Sequence, residues 1–516
     1  MGSSVVTAAW VGRNLWFFSD DWNIVTQYPS GTLLRPFNGH LSAVPIGLYQ
    51  LLFHTVGLSS YLPYRVLGLL MLIALAVAVF RYARSQVGTP GAAAAATLTV
   101  WGSAGMSNVL FPFLMNFSLP IAGLCVMWSA IDSRDRWADR RLGVAALVCV
   151  ATSGIGVVVV GAVLVDLAWR RAPLRSWLAV APSVLLWSVW YAWKHEPLPG
   201  AGGLRPIVSY SVRMLFGGFK ALGGGSGIGG WIVLVLFLAL AAHARPAALL
   251  HDARTVSALS APVAFSLVTA ISRIGVVPAI PPDELRYRWT LAAMLILLAI
   301  RMFRIAPRLM IHRRAQQMVV ICLAGIFAVN VQTLLSEMDG WVERASLTKG
   351  PIAAALWETE ATTGLGHELN DRTLPVSFVR VTSGDYRHTI TEIGSALTDH
   401  AGSAHRGNSP QHLEADTALL AESGLRSERT SGLSGCTPIV ADSTSALSFP
   451  PDATVRLTSG TEDVSLRIGV LSDGVPFRTL SAATTGYLRF PRLNTAVHHY
   501  AYRIVPQPGL EVSRCS

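Results

Sequence analysis

The sequence has few charged residues: Asp, Glu, Lys and Arg make up 14% of its 516 residues, whereas 52% are hydrophobic. Acidic residues are the scarcer kind, with 30 Asp and Glu against 41 Lys and Arg, so the net charge is +11. The mean hydropathy of +0.45 and the long apolar runs of the first three fifths of the chain indicate a stack of membrane spans.

Three common signatures are missing. No CxxC or His/Cys cluster has zinc-site spacing, so we predict no structural zinc. The glycines of the predicted external loop 200–230 do not follow a strand, which excludes a nucleotide-binding cradle. Residues 1–18 lack the basic start and apolar stretch of a signal peptide. They form either a poor first span or the end of a longer N-terminal segment, and the weak apolarity favours the second interpretation.

Ten apolar runs come close to the roughly 20 residues that a membrane span needs. They lie near residues 61–81, 90–109, 112–131, 142–153, 155–169, 176–193, 229–244, 255–272, 287–305 and 316–335. We therefore predict an α-helical polytopic membrane protein with about ten or eleven spans in residues 1–335. An external mixed α/β region should follow in residues 336–435, and an external β-sandwich in residues 436–516.

Arginines gather in alternate loops of this scheme. The groups are Arg81 and Arg84; Arg134, Arg136, Arg140 and Arg141; Arg170, Arg171 and Arg175; Arg245 and Arg254; Arg301, Arg304, Arg308, Arg313 and Arg314. Positive residues collect on the cytoplasmic side of short loops. We therefore expect a multi-pass protein of the plasma membrane whose C-terminal region lies outside the cytoplasm. The same placement explains the net charge, so a nucleic-acid partner is not needed.

The C-terminal region alternates between apolar and polar residues. Val464, Leu466 and Ile468 are separated by single polar or small residues, which predicts a half-buried strand. Turn signals at the spacing of short strands favour a β-sandwich. Cys436 and Cys515 flank this region in a compartment that permits disulfides, so we expect them to pair.

Two adjacent carboxylates, Asp20 and Asp21, stand in the first external loop. Carboxylates near hydrocarbon are costly and are usually kept for chemistry, transport or pairing. A helix start would also explain them. They could ligate a divalent metal beside, or in place of, accepting a proton, and the sequence leaves the metal open. The same side carries Asn38 and His40, which we predict to bind substrate.

A second external loop carries Arg273, Arg286, Tyr287 and Arg288. External arginines run against the positive-inside trend, and guanidinium groups offer a fixed fork of donors that suits phosphate. We predict a phosphate-binding site here. Local pairing with the neighbouring residues 283 and 284, both acidic, is an equally consistent explanation.

An external carboxylate and external arginines suit sugar transfer from a lipid phosphate. The carboxylate takes a proton from an acceptor hydroxyl while the arginines stabilise the departing phosphate. Each charge-assisted hydrogen bond contributes roughly 1.5–3 kcal/mol.

Short motifs then resemble a known superfamily. Phe18-Ser19-Asp20-Asp21-Trp22, Asn38-Gly39-His40-Leu41 and Tyr64-Arg65 resemble the first external loop of GT-C glycosyltransferases, polytopic enzymes that use polyprenyl-phosphate sugars. The resemblance implies that an acidic residue of this loop is the catalytic base. Asp20 and Asp21 both match, with a slight preference for Asp21. Ser272-Arg273 and Arg286-Tyr287 are similar to the late-loop arginine pattern that holds the lipid phosphate.

The helical core with its external β-rich tail resembles bacterial cell-wall arabinosyl- and mannosyltransferases, whose tails can bind carbohydrate. The resemblance implies an inverting transferase that moves a sugar to a cell-envelope glycan, a glycolipid or a protein hydroxyl. Two features depart from the pattern: the weak first span, and a set of basic residues that is nearly all arginine.

Two other functions fit parts of the sequence. A transporter or flippase for lipid-linked sugars would need charged or broken segments at mid-membrane, whereas the charges here lie mostly at span ends. Asp166, for example, should pair with Arg170 one helical turn away. A non-catalytic anchor could present Tyr487, Phe490, Tyr500 and Tyr502 to sugars, although aromatic residues at strand spacing more often form a core.

Overall fold

The structure is a computed structural model. It describes residues 10, 15–17, 20–28, 31–105, 110–133, 135–194, 203–244, 246–275, 280–305, 321, 324–338, 340, 342, 383–393, 427–428, 435–439, 447–450, 453–469, 475–483, 485–490, 502–504 and 509–515. Most of the predicted mixed α/β region 336–435, and the cysteine at 322, lie outside these residues.

The chain forms two compact units. The first contains Met1–Asn14, Ser30–Leu52 and Leu62–Val342, and the second contains Leu15–Pro29, Phe53–Tyr61 and Glu343–Ser516. The segment that carries Asp20 and Asp21 therefore belongs to the same unit as the C-terminal region.

The described part of the first unit is helical, as predicted. Helix α2, Ala43–Val56, begins in the first unit and ends in the second. The other helices of the first unit are α3 Leu62–Trp101, α4 Met115–Asp132, α5 Ala138–Val150, α6 Gly154–Trp169, α7 Leu174–Lys194, α8 Leu204–Leu222, α9 Gly227–His243, α10 Pro246–His251, α11 Ala253–Arg273 and α12 Leu285–Ile305. Short 3-10 turns lie at Ser103–Gly105 and Pro112–Leu114, and residues 324–338 are also helical.

The first two predicted spans are joined by a kink and not by a loop. Helix α3 covers both, and it is interrupted at Gly88, where φ is 75° and ψ is 178°. Glycine reaches this left-handed region without the strain that a Cβ would cause, and Pro90 lacks the backbone N–H that an uninterrupted helix would use.

The sequence prediction of a long external loop at 200–230 is wrong for most of that range, because α8 occupies residues 204 to 222. Its buried residues recur at helical spacing: Ser211, Met214, Gly217, Gly218, Ala221 and Leu222. A Cβ at Gly218 would lie 2.8 Å from the Cβ of Leu291, so the glycines let α8 pack directly against α12. Many glycines suggested a loop, whereas here they form a helix–helix contact.

Among the residues that the structure describes, three helices are long and apolar enough to cross a membrane: Leu62–Trp101, Pro112–Asp132 and Ala253–Arg273. The pair α8 and α9 meets at an angle of 94° and would make a fourth if it counts as one broken span. By length and apolarity the described residues thus supply fewer spans than the ten predicted. Helices occupy most of the other predicted positions but are shorter or less apolar.

Charged residues cluster at both ends of the long helices. Arg254 and Arg273 stand near opposite ends of α11, about 28 Å apart at 1.5 Å per residue. At one end, Arg254 pairs with Asp132 at 2.9 Å and with Asp166 at 3.1 Å, and Arg170 pairs with the same two carboxylates. We call this the ion-pair end. It unites the ends of α4 and α6 with the start of α11.

The end of α12 reaches the ion-pair end as well. Arg301 donates two hydrogen bonds to Asp252, at 2.8 and 2.9 Å, and Asp252 in turn caps the start of α11 through the backbone N–H of Thr255. Gln86 of α3 accepts hydrogen bonds from Arg301 and Arg304. Loops that the arginine pattern assigns to one face of the membrane therefore do meet at one end.

The described C-terminal strands form a β-sandwich, as predicted. The strands are β1 Ser427–Glu428, β2 Cys436–Pro438, β3 Leu447–Phe449, β4 Thr454–Ser459, β5 Val464–Gly469, β6 Val475–Leu480, β7 Thr485–Arg489, β8 Tyr502–Ile504 and β9 Leu510–Cys515. They make a five-stranded sheet, β1-β7-β4-β9-β2, and a four-stranded sheet, β3-β8-β5-β6.

Aromatic residues fill the space between these sheets. Phe490 stacks on Phe449 and on Tyr502, with ring centroids 5.5 and 4.6 Å apart. All three side chains are buried. Cys436 and Cys515 are joined by a disulfide between the neighbouring strands β2 and β9.

Candidate functional site

A tight turn places His40 in the first unit. Asn38 and Gly39 both have positive φ, 50° and 77°, and the backbones of Phe37 and His40 exchange two hydrogen bonds of 2.9 Å. Asn-Gly is the preferred pair for such a two-residue turn, because both central positions need positive φ. The backbone of Asn38 therefore shapes the turn, while its predicted role in substrate binding stays a prediction.

The imidazole of His40 meets the guanidinium at the end of α11. His40 Nε2 and Arg273 Nη2 lie 3.4 Å apart. Arginine can only donate, so Nε2 acts as the acceptor and the imidazole proton resides on Nδ1. Two residues that are 233 positions apart in the chain thus meet at the end of the bundle opposite the ion-pair end. We call this the His40 end.

Burial and the positive charge of Arg273 lower the pKa of His40 from 6.5 to about 4. Both effects disfavour the imidazolium form, because burial removes water from the charge and the guanidinium repels it. His40 is therefore neutral at physiological pH and is able to accept a hydrogen bond from Arg273.

The start of α12 supplies three further donors. Tyr287 is 4% exposed, and its hydroxyl has no hydrogen-bond partner among the described residues. The Nε groups of the flanking Arg286 and Arg288 are buried and also have no hydrogen-bond partner among the described residues. Buried polar groups are nearly always paired in native proteins, so these three donors are candidates to hold an acceptor.

Local charge pairing does not account for these arginines. Within the described part of the chain, neither Asp283 nor Glu284 forms an ion pair with Arg286 or Arg288. The described contact of Arg288 is a 3.3 Å hydrogen bond from Nη2 to the carbonyl oxygen of Gly225. Asp283 lies close enough to Arg288 to act on its charge without forming an ion pair with it.

Helix α8 borders the same end. The Tyr210 hydroxyl donates to the carbonyl oxygen of Ile280 at 3.1 Å, which ties α8 to the segment before α12. Arg273, Glu284 and Arg286 are close enough to influence the electrostatics of that hydroxyl. Arg273 of α11 and Arg286 of α12 therefore both lie near Tyr210.

Arginine forks and a buried tyrosine hydroxyl suit a phosphate group. These donors are carried by two helices, α11 and α12, and Arg273 contacts His40. A phosphate accepts several charge-assisted hydrogen bonds, which are about twice as strong as neutral ones. The His40 end is therefore a candidate anion site.

A solved structure resembles this chain. It is described as the crystal structure of ArnT from Cupriavidus metallidurans bound to undecaprenyl phosphate. The similarity has a TM-score of 0.43 and 13% sequence identity, and it covers 83% of this chain and 94% of that chain. No protein-family model and no curated protein match the sequence. The similarity concerns the fold, so the function has to follow from the residues of this chain.

The predicted catalytic carboxylates lie in the second unit, in the first turn of helix α1, Asp20–Gln27. Asp21 is 1% exposed, and its Oδ2 accepts a 2.7 Å hydrogen bond from the Tyr61 hydroxyl. Acidic residues are favourable at a helix N-terminus, so both carboxylates have a structural role. Asp20 is the more exposed of the two. Their catalytic role stays a prediction.

Helix α1 is anchored inside the second unit. Trp22 donates to the carbonyl oxygen of Phe17 at 3.1 Å, and its ring lies 6.1 Å from that of Tyr386. Tyr386 belongs to helix α13, Ser383–Ile393, whose Thr389 hydroxyl donates to the carbonyl oxygen of Val25 at 3.1 Å. The first turn of α1, which carries Asp20 and Asp21, is therefore held in place by contacts with Phe17 and with helix α13.

Other predicted binding features do not form such a site. Among the described residues, no group of three or more His, Cys, Asp and Glu side chains is arranged to hold a metal ion. Phe490 and Tyr502 are buried in the sandwich core, so they do not form a sugar-binding face. Tyr500 lies outside the described residues.

Sequence reasoning missed Tyr210, Tyr61 and Gly154, where an added Cβ would lie 2.8 Å from His40 Nδ1. Tyr210 fell in the predicted loop 200–230, most of which is helix α8. Nothing in the sequence signalled that Tyr61 would bond to Asp21, because that contact depends on the fold.

Proposed function

We propose that the chain is a membrane glycosyltransferase that uses a polyprenyl-phosphate sugar as donor. The acceptor is a hydroxyl of a cell-envelope glycan, a glycolipid or a protein. The acceptor oxygen attacks the anomeric carbon as the bond from that carbon to the phosphate oxygen breaks. The acceptor proton passes to a carboxylate, and the polyprenyl phosphate leaves with the electron pair.

One observation carries the proposal. At the His40 end, Arg286, Tyr287 and Arg288 present buried donors that lack partners among the described residues, and no local carboxylate pairs with the arginines. A lipid phosphate supplies the missing acceptor. Each charge-assisted bond contributes about 1.5–3 kcal/mol, and bonds that strengthen as the phosphate departs lower the barrier directly.

The arginine pattern supports an external site. Positive residues collect at the cytoplasmic side, and the ion-pair end gathers arginines from several loops. The opposite His40 end would then face outward, at the depth where a polyprenyl phosphate carries its head group. Asp20 and Asp21 are our candidates for the base, on the strength of the sequence resemblance.

Turnover of a labelled donor tests the proposal. Purified full-length chain in nanodiscs is supplied with radiolabelled polyprenyl-phosphate sugars and an envelope-glycan fraction. Arg286→Gln should lower kcat/KM for the donor about ten- to hundredfold, the kinetic equivalent of one lost charge-assisted bond. Arg205→Gln is the matched control, since Arg205 is an exposed arginine of α8.

The outcomes separate the competing functions. Transfer that Arg286→Gln weakens and Arg205→Gln leaves unchanged supports the transferase. Labelled lipid that crosses the bilayer of sealed vesicles, with no donor consumed, would establish a flippase instead. Equal donor kinetics in both variants would show that Arg286 does not contact the phosphate.

A further inference from the structure

We propose that His40 is a positioning residue, which orients the Arg273 guanidinium toward the lipid phosphate and does not itself bind the substrate. The inference rests on the proposed function and deepens it. His40 Nε2 is the described hydrogen-bond partner of the Arg273 guanidinium, with Nη2 at 3.4 Å. An arginine held by a neutral acceptor keeps its full charge for an anion, whereas a carboxylate partner would cancel that charge.

The imidazole is itself fixed from two sides. Its backbone closes the Asn38-Gly39 turn through the two hydrogen bonds with Phe37. On the other side the ring packs against Gly154 at the start of α6, where an added Cβ would lie 2.8 Å from Nδ1 and 3.0 Å from Cε1. The Asn38-Gly39 turn, Gly154 and the Arg273 guanidinium thus restrain the position of the imidazole ring.

In this arrangement, residues that do not contact the substrate still have a role. Asn38 and Gly39 shape the turn, Gly154 provides room for the ring, and His40 supplies the acceptor. Arginine side chains lose much rotamer freedom when they bind, and a preset guanidinium loses less. Removing the support should therefore weaken phosphate binding without removing any charge.

Two variants disturb the support in different ways. His40→Ala removes the acceptor. Gly154→Ala keeps every polar group and pushes the imidazole away, since the new methyl group overlaps Nδ1. Gly161→Ala is the matched control on the same helix, because a Cβ there meets nothing within 4 Å. His40→Gln keeps a side-chain acceptor and should restore binding.

The experiment measures equilibrium binding of undecaprenyl phosphate, and of undecaprenol as the phosphate-free probe, to the full chain in nanodiscs. We expect His40→Ala and Gly154→Ala to weaken undecaprenyl phosphate binding about tenfold, and His40→Gln and Gly161→Ala to weaken it less than about threefold. Undecaprenol binding should not respond to any of them, which separates positioning from a general loss of structure.

A double-mutant cycle decides whether His40 acts through Arg273. In an Arg273→Gln background, His40→Ala should cause no further loss of undecaprenyl phosphate binding. Additive losses would overturn the inference, as would unchanged binding in Gly154→Ala. If the unmodified chain binds both lipids equally, the proposed function itself fails, and that result is distinct from failure of the His40 variants alone.

Discussion

Arg254 should be the most sensitive charged residue of the ion-pair end. Its side chain is fully buried, pairs with Asp132 at 2.9 Å and Asp166 at 3.1 Å, and lies over the Trp128 ring at 5.2 Å. Removing one member of a buried ion pair costs about 3–5 kcal/mol, because the other charge stays buried without its partner. Asp166 keeps Arg170 at 2.8 Å, so the cost of Arg254→Met should lie near 3 kcal/mol.

Two further variants, at Arg170 and Asp166 of the ion-pair end, are compared with Arg254→Met. Arg170 is 32% exposed on its side chain, and Arg170→Met leaves Asp166 with Arg254, so we expect a smaller cost than for Arg254→Met. Combining Arg254→Met with Asp166→Leu also removes the fully buried carboxylate, which Arg254→Met leaves with Arg170 alone, and should recover part of the loss.

Unfolding free energies measured by far-UV circular dichroism in mixed micelles test this ordering. The expected order of stability is wild type, then Arg170→Met, then the double variant, then Arg254→Met. An Arg254→Met chain within about 1 kcal/mol of the wild type would refute the argument that this charge cluster is buried and coupled. So would a double variant that loses the full sum of its two single changes.

Three further predictions concern other parts of the molecule. Cys436→Ala with Cys515→Ala should destabilise the sandwich by about 4 kcal/mol, because the disulfide closes a loop of 79 residues. Unfolding of the wild type with and without reductant measures this contribution. Equal unfolding midpoints under the two conditions would contradict the prediction. Phe490→Ala should cost about 3–5 kcal/mol by opening a cavity between the sheets, whereas the same change at the exposed Arg489 should cost less than about 0.5 kcal/mol. The folded-state pKa of His40 lies near 4, below its unfolded value of 6.5, so its contribution to stability is present above pH 6.5 and is lost as the pH falls toward 4. The difference in unfolding free energy between wild type and His40→Gln should therefore narrow over that range. A constant difference would show that the histidine is solvated.

Patterns that depend on local periodicity were readable from the sequence. The apolar runs predicted most helices, strand β5 followed from alternation at Val464–Gly469, and Asp166 pairs with Arg170 as their spacing of four predicts. Each of these rests on residues within a turn or two of one another. The alternating arginine groups also indicated correctly which helix ends would meet.

Features that depend on tertiary contact were not readable. Helix α8 was mistaken for a loop because its glycines look like breakers until they are seen against α12. The pairing of His40 with Arg273 joins residues from distant segments of the chain. The need for glycine at position 154 becomes visible only when the His40 imidazole is seen beside it. The Tyr61 hydroxyl likewise reaches Asp21 across 40 residues. Long-range neighbours of this kind decide what a charged residue does.

The central claim is that the His40 end recognises a lipid phosphate. The most direct measurement is the affinity of the purified full-length chain for undecaprenyl phosphate relative to undecaprenol, compared among wild type, the Arg273→Gln/Arg286→Gln double variant and the Arg205→Gln control. The account predicts that wild type and Arg205→Gln prefer the phosphate by at least about tenfold, and that the double variant binds the two lipids alike. A wild type without preference, or a double variant that keeps it, would contradict the account.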